Sequence, residues 1–358
     1  MRKLNLTLYI RILTMTVLLL GFGLIMIYSA SVAEGARDFG NKWHFVLLQL
    51  KWATIGFIGM AIIGFTPPKL WEKLSPLLLF VGLALLFLVI IPGVGTKVMG
   101  ARRWLVLPGI TLQPSELMKF LQVIYLSSWL CNKKVTLVQF GAYLAVVAGL
   151  IMLQPDMGTT LVVVLLAFAM YFLTGYPFKH FLILGGVGIL VGMIMIIAEP
   201  YRLARVKTFI DPMHDAQGSS YHIRQVLLSL GSGGISGLGI GRSRQKYAYL
   251  PESTTDSIFA VVGEELGFIG GVALILAFLY YLSLIFKVAA SVSDRFTSSL
   301  VAGIGAWFAL QVCLNLAAMT ALTPLTGVPL PLVSYGGSAL ITMLAGVGLV
   351  LSVARHQH

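Results

Sequence analysis

Charge is scarce in this chain of 358 residues. Asp, Glu, Lys and Arg make up 11% of it, where soluble domains carry about 25%. Hydrophobic residues reach 58% and mean hydropathy is +0.92, which excludes an ordinary soluble domain. Cysteine is equally rare. Cys131 and Cys313 lie at or inside apolar runs, so neither a disulfide framework nor a metal cluster is suggested. The six histidines show no HExxH or other metal-ligand spacing. The glycine-rich stretch 231–241, GSGGISGLGIG, contains neither GxGxxG nor GxxxxGK[ST], and no strand pattern precedes it. A nucleotide fold is therefore not expected. Glycines there let backbone pack closely or bend.

What the chain has in abundance is long apolar runs. At about twenty residues per membrane helix, they fall at 12–32, 44–65, 74–92, 113–131, 136–153, 158–175, 180–198, 257–286, 298–320 and 336–354. The expectation is an all-α integral membrane protein of about ten spans, forming a single membrane domain over 1–358, with both ends on one side. The first run follows Arg2, Lys3 and Arg11 and lacks a small-residue cleavage site, so it reads as a retained span. Pro67-Pro68, Pro92-Gly93 and the loop from Pro324 to Pro331 supply helix breaks. The long polar segment 199–256, between the seventh and eighth spans, exceeds a simple connector and is expected to be functional.

Lys and Arg divide almost evenly between the two sides, but seven of the outer ones lie in 199–256. Long loops count less toward orientation, which puts both termini in the cytoplasm and the long loop outside. The net charge of +12 then leaves a basic outer surface. That surface fits anionic membrane lipid or a phosphate-bearing lipid substrate better than nucleic acid.

Five segments could carry chemistry. In 100–119, GARRWLVLPGITLQPSELMK, Arg102 and Arg103 read as interfacial anchors or phosphate ligands. Glu116 and Lys119, three apart, share a helix face and form either a packing ion pair or a polar cavity wall. In QPDMGT, 154–159, Asp156 either caps the next span or faces that same cavity. Arg242, Arg244 and Lys246 follow the glycines as a solvated charge run or as pyrophosphate contacts. PLTGVPLPLVSYGGS, 324–338, is an irregular loop that must line protein or water. It contains Ser334, and no Ser/His/Asp set makes that serine a nucleophile. In YLPESTTDS, 249–257, Glu252 lies one turn before Asp256, and Asp256 reads as the last charged group before the bilayer. A carboxylate there is a helix-dipole partner or a functional group.

These pieces together resemble the SEDS family of bacterial membrane proteins, FtsW, RodA and SpoVE. The residues that carry the resemblance are GARRW at 100–104, QPSE with Lys119, QPDMGT at 154–159 and GSGG at 231–234. They continue with GLGIGRSRQKYAYLPE at 237–252, Thr255-Asp256, GEELG at 263–267 and PLPLVSYGGS at 329–338. The form of the 241–252 segment is closer to FtsW and SpoVE than to RodA. The sequence departs from the family at Ser257, where an aromatic is common, at Ser253-Thr254, and at Arg224, where a glutamine is common.

The resemblance implies a peptidoglycan glycosyltransferase that polymerises lipid II at the outer face of the cytoplasmic membrane. It implies a class B penicillin-binding protein and other divisome or elongasome membrane proteins as partners. It also implies Asp256 as catalytic general base. Arg102, Arg103, Arg242, Arg244 and Lys246 would face the pyrophosphate, with Glu116, Lys119, Asp156, Glu252 and Ser334 lining the substrate site. A divalent cation, Mg or Mn, could assist the leaving group, and no organic cofactor is expected. A lipid II flippase or a non-catalytic scaffold are the competing classes.

Overall fold

The computed structural model describes residues 2–98, 101–107, 109–132, 134–198, 203, 220–243 and 250–356. The described residues form eleven helices. They are α1 (Arg2–Phe39), α2 (His44–Phe65), α3 (Pro68–Ile90), α4 (Pro114–Asn132), α5 (Leu137–Met152), α6 (Met157–Leu173) and α7 (Phe178–Ala198). Then follow α8 (Tyr221–Gly233), α9 (Ile258–Ala290), α10 (Arg295–Met319) and α11 (Gly337–His356). Seven of them, α1, α2, α3, α7, α9, α10 and α11, are long and apolar enough to cross a membrane. Helices α5 and α6 are shorter apolar helices, while α4 buries Glu116, Lys119 and Gln122 along its length.

Local chemistry explains where these helices begin. Pro68 occupies the first turn of α3, where a missing N–H costs nothing. Thr136 and Gln139 form a reciprocal capping box on α5. Asp156 and Asp294 cap α6 and α10 through the amides of Thr159 and Thr297, each cap worth about 1 kcal/mol.

Two features lie outside the expected pattern of spans and loops. A three-stranded antiparallel sheet, β1 (Thr96–Val98), β2 (Ala101–Leu107) and β3 (Ile110–Leu112), fills the connection from α3 to α4. The long polar segment contains α8, which buries Ile223, Val226 and Gly233. The first helix also outruns the apolar run that announced it, extending to Phe39.

Helices α10 and α11 form the centre, and most of α11 is buried. Small residues let α2 lie along α11: a Cβ on Gly56 would approach Leu344 Cδ1 to 2.5 Å, and one on Gly348 would approach the Met60 carbonyl to 2.7 Å. This close approach is how helices gain contact where lipid supplies no hydrophobic drive. At the opposite extreme, no residue of α7 is buried in its apolar window.

Candidate functional site

Hydrogen bonds draw the loops assigned to one side of the membrane together at one end of the bundle. Arg103 in β2 donates from Nε to the Gln154 carbonyl at 3.0 Å, and its second nitrogen donates to the Pro155 carbonyl. Ser338, opening α11, accepts from the Gln113 amide and donates to the Thr111 carbonyl, both at 3.0 Å. Lys51 in α2 donates to the Gly109 carbonyl at 2.8 Å. The Tyr335 amide reaches the Thr254 carbonyl at 2.8 Å. At the other end, Ser352 donates to the Thr66 carbonyl and Asn132 to Glu72.

Asp256 sits in that assembly, 8% exposed, at the end of a turn over residues 251–257. The turn is tight because Glu252 takes a left-handed φ of 51° and its carbonyl accepts from both the Thr255 and Ser257 amides. The Thr255 hydroxyl lies 2.7 Å from Glu252 Oε2 and 3.4 Å from Asp256 Oδ1. Helix α9 starts at Ile258, with Ser257 at the N-cap position and no side-chain cap. The Ser257 hydroxyl instead meets His222 Nε2 of α8 at 2.7 Å.

From below, α10 presents Trp307, Gln311 and Asn315 at successive turns. Asn315 Nδ2 donates to the Asp256 carbonyl at 2.7 Å and to the Val328 carbonyl at 2.9 Å. Gln311 Oε1 accepts from Trp307 Nε1 and from Lys119 Nζ, the latter at 3.3 Å. Lys119 pairs with Glu116 at 2.7 Å, both side chains almost wholly buried. Of the two readings of Glu116 and Lys119, the buried ion pair is what these contacts describe. The pair belongs to a network that α10 continues up to the Asp256 turn.

Asp256 is not the last charged group before the apolar interior. Glu264 and Glu265 are buried two turns further into α9. Ser29 of α1 donates to both Glu265 carboxylate oxygens, at 2.7 and 2.8 Å, and the Ser243 hydroxyl donates to Glu264 Oε2. The helix breaks just beyond, where Gly267 adopts a φ of 67°. The glycine segment repairs the break. The amides of Leu238 and Gly239 donate to the Glu264 and Glu265 carbonyls, and the amides of Phe268 and Ile269 donate to Gly234 and Ile235. Such a repair is required in a bilayer, where freed backbone groups cost several kcal/mol each. The close packing expected of these glycines is thus a backbone pairing.

The remaining candidates are placed as follows. Asp156 caps α6 and also accepts from Gln113 Nε2 at 3.3 Å, joining that cap to the start of α4. Arg102 is half-buried in β2, opposite Lys97. Arg242 is exposed at the end of the glycine segment. Arg244 and Lys246 lie outside the described residues. Ser334 is buried and its hydroxyl accepts from the Leu330 amide at 2.8 Å, which shapes the loop before α11. Burial raises the pKa of the neighbouring Tyr335 hydroxyl. Among the described residues, no group of three His, Cys, Asp or Glu side chains could hold a metal ion. Gln311, Asn315 and His222 escaped the sequence reading, although the spacing of Trp307, Gln311 and Asn315 at four-residue steps inside an apolar run was a visible signal.

The same order of elements and motifs recurs in known proteins. The family model described as cell cycle protein, covering FtsW, RodA and SpoVE, matches residues 10–358. The chain belongs to the FtsW/RodA/SpoVE family. Among relatives of this FtsW/RodA/SpoVE chain, stage V sporulation protein E of Bacillus subtilis is 39% identical over 348 residues, 95% of each chain. A Thioalkalivibrio protein named "Probable peptidoglycan glycosyltransferase FtsW" is 40% identical, covering 96% of this chain and 88% of that protein. Two solved structures share the fold. A chain of a peptidoglycan synthase complex, in work on the coordination of polymerization and crosslinking, aligns with TM-score 0.79, 29% identity and coverage of 97% and 98%. The rod shape determining protein RodA of Thermus thermophilus aligns with TM-score 0.70, 28% identity and 97% coverage of each chain. The family and its apolar helices make this a multi-pass membrane protein.

Proposed function

We propose that this protein is a peptidoglycan glycosyltransferase that polymerises lipid II at the outer face of the bacterial cytoplasmic membrane, with Asp256 as general base. The observation that carries the reading is the setting of Asp256. A buried carboxylate stands in a turn bonded both to the 324–336 loop and to α10, in a chain that is about 40% identical along its length to a protein named for this activity.

The chemistry asked of the site is one displacement. The 4-hydroxyl of the acceptor GlcNAc attacks C1 of the donor MurNAc. The O4–C1 bond forms with inversion while the bond from C1 to the pyrophosphate oxygen breaks. The hydroxyl proton passes to the Asp256 carboxylate, and undecaprenyl pyrophosphate leaves. A positioned base contributes typically about 10²–10⁴-fold. The leaving group is strongly anionic, so cationic side chains at its oxygens stabilise the charge as it develops. Arg102 in β2 and Arg242 at the end of the glycine segment are the cationic candidates among the described residues, and Arg244 and Lys246 follow Arg242 in the sequence. Arg103 has two of its donors committed to the Gln154 and Pro155 carbonyls, which favours an anchoring role for it.

Glycan synthesis by this chain needs crosslinking to complete a wall, which supports a class B penicillin-binding protein as partner in the divisome or elongasome. The test is to incubate the purified protein with labelled lipid II, alone and with its cognate penicillin-binding protein, and to resolve glycan polymer on gels. Polymer from the parent protein supports the reading. Transfer of lipid II across liposomes without any polymer would make the protein a transporter, and neither outcome would leave a scaffold.

A further inference from the structure

We infer that Asn315 is a positioning residue for Asp256: one side-chain amide sets the place of the carboxylate relative to the 324–336 loop. The inference rests on the proposed glycosyltransferase reading and adds a residue to its machinery.

Asn315 is 1% exposed on the face of α10 that looks up at the site. Its Nδ2 carries two hydrogens on one planar nitrogen. One goes to the Asp256 carbonyl at 2.7 Å and the other to the Val328 carbonyl at 2.9 Å. Both neighbours are acceptors, so the amide can face them in this orientation alone. The fixed angle between the two N–H bonds then dictates how the two carbonyls, and the chains carrying them, stand to each other.

The Asp256 carbonyl lies outside the helical ladder because α9 begins two residues later, at Ile258. The Ala260 amide bonds to Ser257, not to Asp256. A second bond, from the Tyr335 amide to the Thr254 carbonyl at 2.8 Å, ties the same loop to the same turn two residues back. The turn therefore rests on the loop at one point and on α10 at another. The other end of the Asn315 amide is different: Oδ1 is buried and has no hydrogen-bond partner among the described residues. Leaving a buried acceptor unsatisfied is costly, so this side chain serves through its two donors.

A displacement of about 1 Å at the reacting groups can cost about 10²-fold in rate. Asn315→Leu keeps the side chain's size and deletes both donors. Asn315→Ser keeps one donor on a shorter arm, enough for one carbonyl and not for two. Both variants are purified as full chains and compared with the parent for polymerisation of fluorescent lipid II and for lipid II bound per chain. The expected result is a fall in kcat of about 10²-fold for the leucine variant and a smaller fall for the serine variant. Lipid II should bind with the parent's stoichiometry and affinity in both.

A folded variant that polymerises at the parent's kcat overturns the inference. So does a loss of kcat matched by an equal loss of lipid II bound per chain, because that is a loss of folded protein. If the leucine variant does not fold, the serine variant decides on the same two readouts. A parent that makes no polymer at all would instead overturn the proposed function.

Discussion

Gly233 of α8 lies so close to Gly263 of α9 that a Cβ on it would stand 1.9 Å from the Gly263 carbonyl oxygen. Real side chains do not tolerate that approach, so Gly233→Ala must push α8 and the glycine segment off the α9 break. The four backbone hydrogen bonds that repair the break would go with it. The expected outcome is a lower melting temperature in detergent and at least a tenfold loss of polymerisation, about 1.4 kcal/mol or more in the barrier. Differential scanning fluorimetry alongside the gel assay checks both.

The Glu116–Lys119 pair should behave as a buried pair in stability measurements. Glu116→Gln strands the Lys119 charge, and breaking such a pair costs about 3–5 kcal/mol. Glu116→Gln combined with Lys119→Met removes both charges and should recover most of that loss. If the double variant also recovers polymerisation, the pair is packing alone. Continued inactivity in a stable double variant assigns it to substrate.

The two arginines of β2 should part company. Arg103→Ala releases the Gln154 and Pro155 carbonyls, and the expected effect is a loss of about 1–3 kcal/mol in stability with little change in lipid II KM. Arg102→Ala should leave stability unchanged and raise KM. Paired thermal melts and initial rates would show the split, and a KM effect confined to Arg103 would reverse the assignment.

Next to Asp256, the Ser257 hydroxyl meets His222 Nε2 of α8 at 2.7 Å. The pair therefore ties α8 to the residue that follows Asp256. His222→Ala and Ser257→Ala should each slow polymerisation, and the double variant should be no worse than either alone. A coupling of about 0.5–1.5 kcal/mol in the double-mutant cycle is expected. Additive losses would mean that the two side chains act separately.

Much of this architecture was legible in the residues. Pro67-Pro68 and Asp156 mark helix starts by chemistry that is local in the chain. The Glu116–Lys119 spacing announces a shared face for the same reason. What escaped depends on contacts between distant segments. The Ser29–Glu265 contact spans 236 residues and the Asn315–Asp256 contact spans 59. Counting apolar runs identifies a span but does not say which side of it faces protein, so Gln311, Asn315 and Glu264 were absorbed into runs. The sheet over 96–112 was hidden because its strands are short and interrupted by Gly109. The gap at Gly267 is read in the sequence only as one more glycine. Its meaning appears when 233–239 is seen to pair with it.

The proposed reaction turns on the Asp256 carboxylate taking the acceptor's proton. Asp256→Asn preserves the size and polarity of the side chain and removes its basicity. The decisive measurement is the initial rate of glycan formation from labelled lipid II by this variant, in complex with the cognate penicillin-binding protein, with lipid II binding measured on the same sample. The predicted result is intact binding and a rate reduced by about 10²–10⁴-fold. Polymerisation at the parent's rate would contradict it.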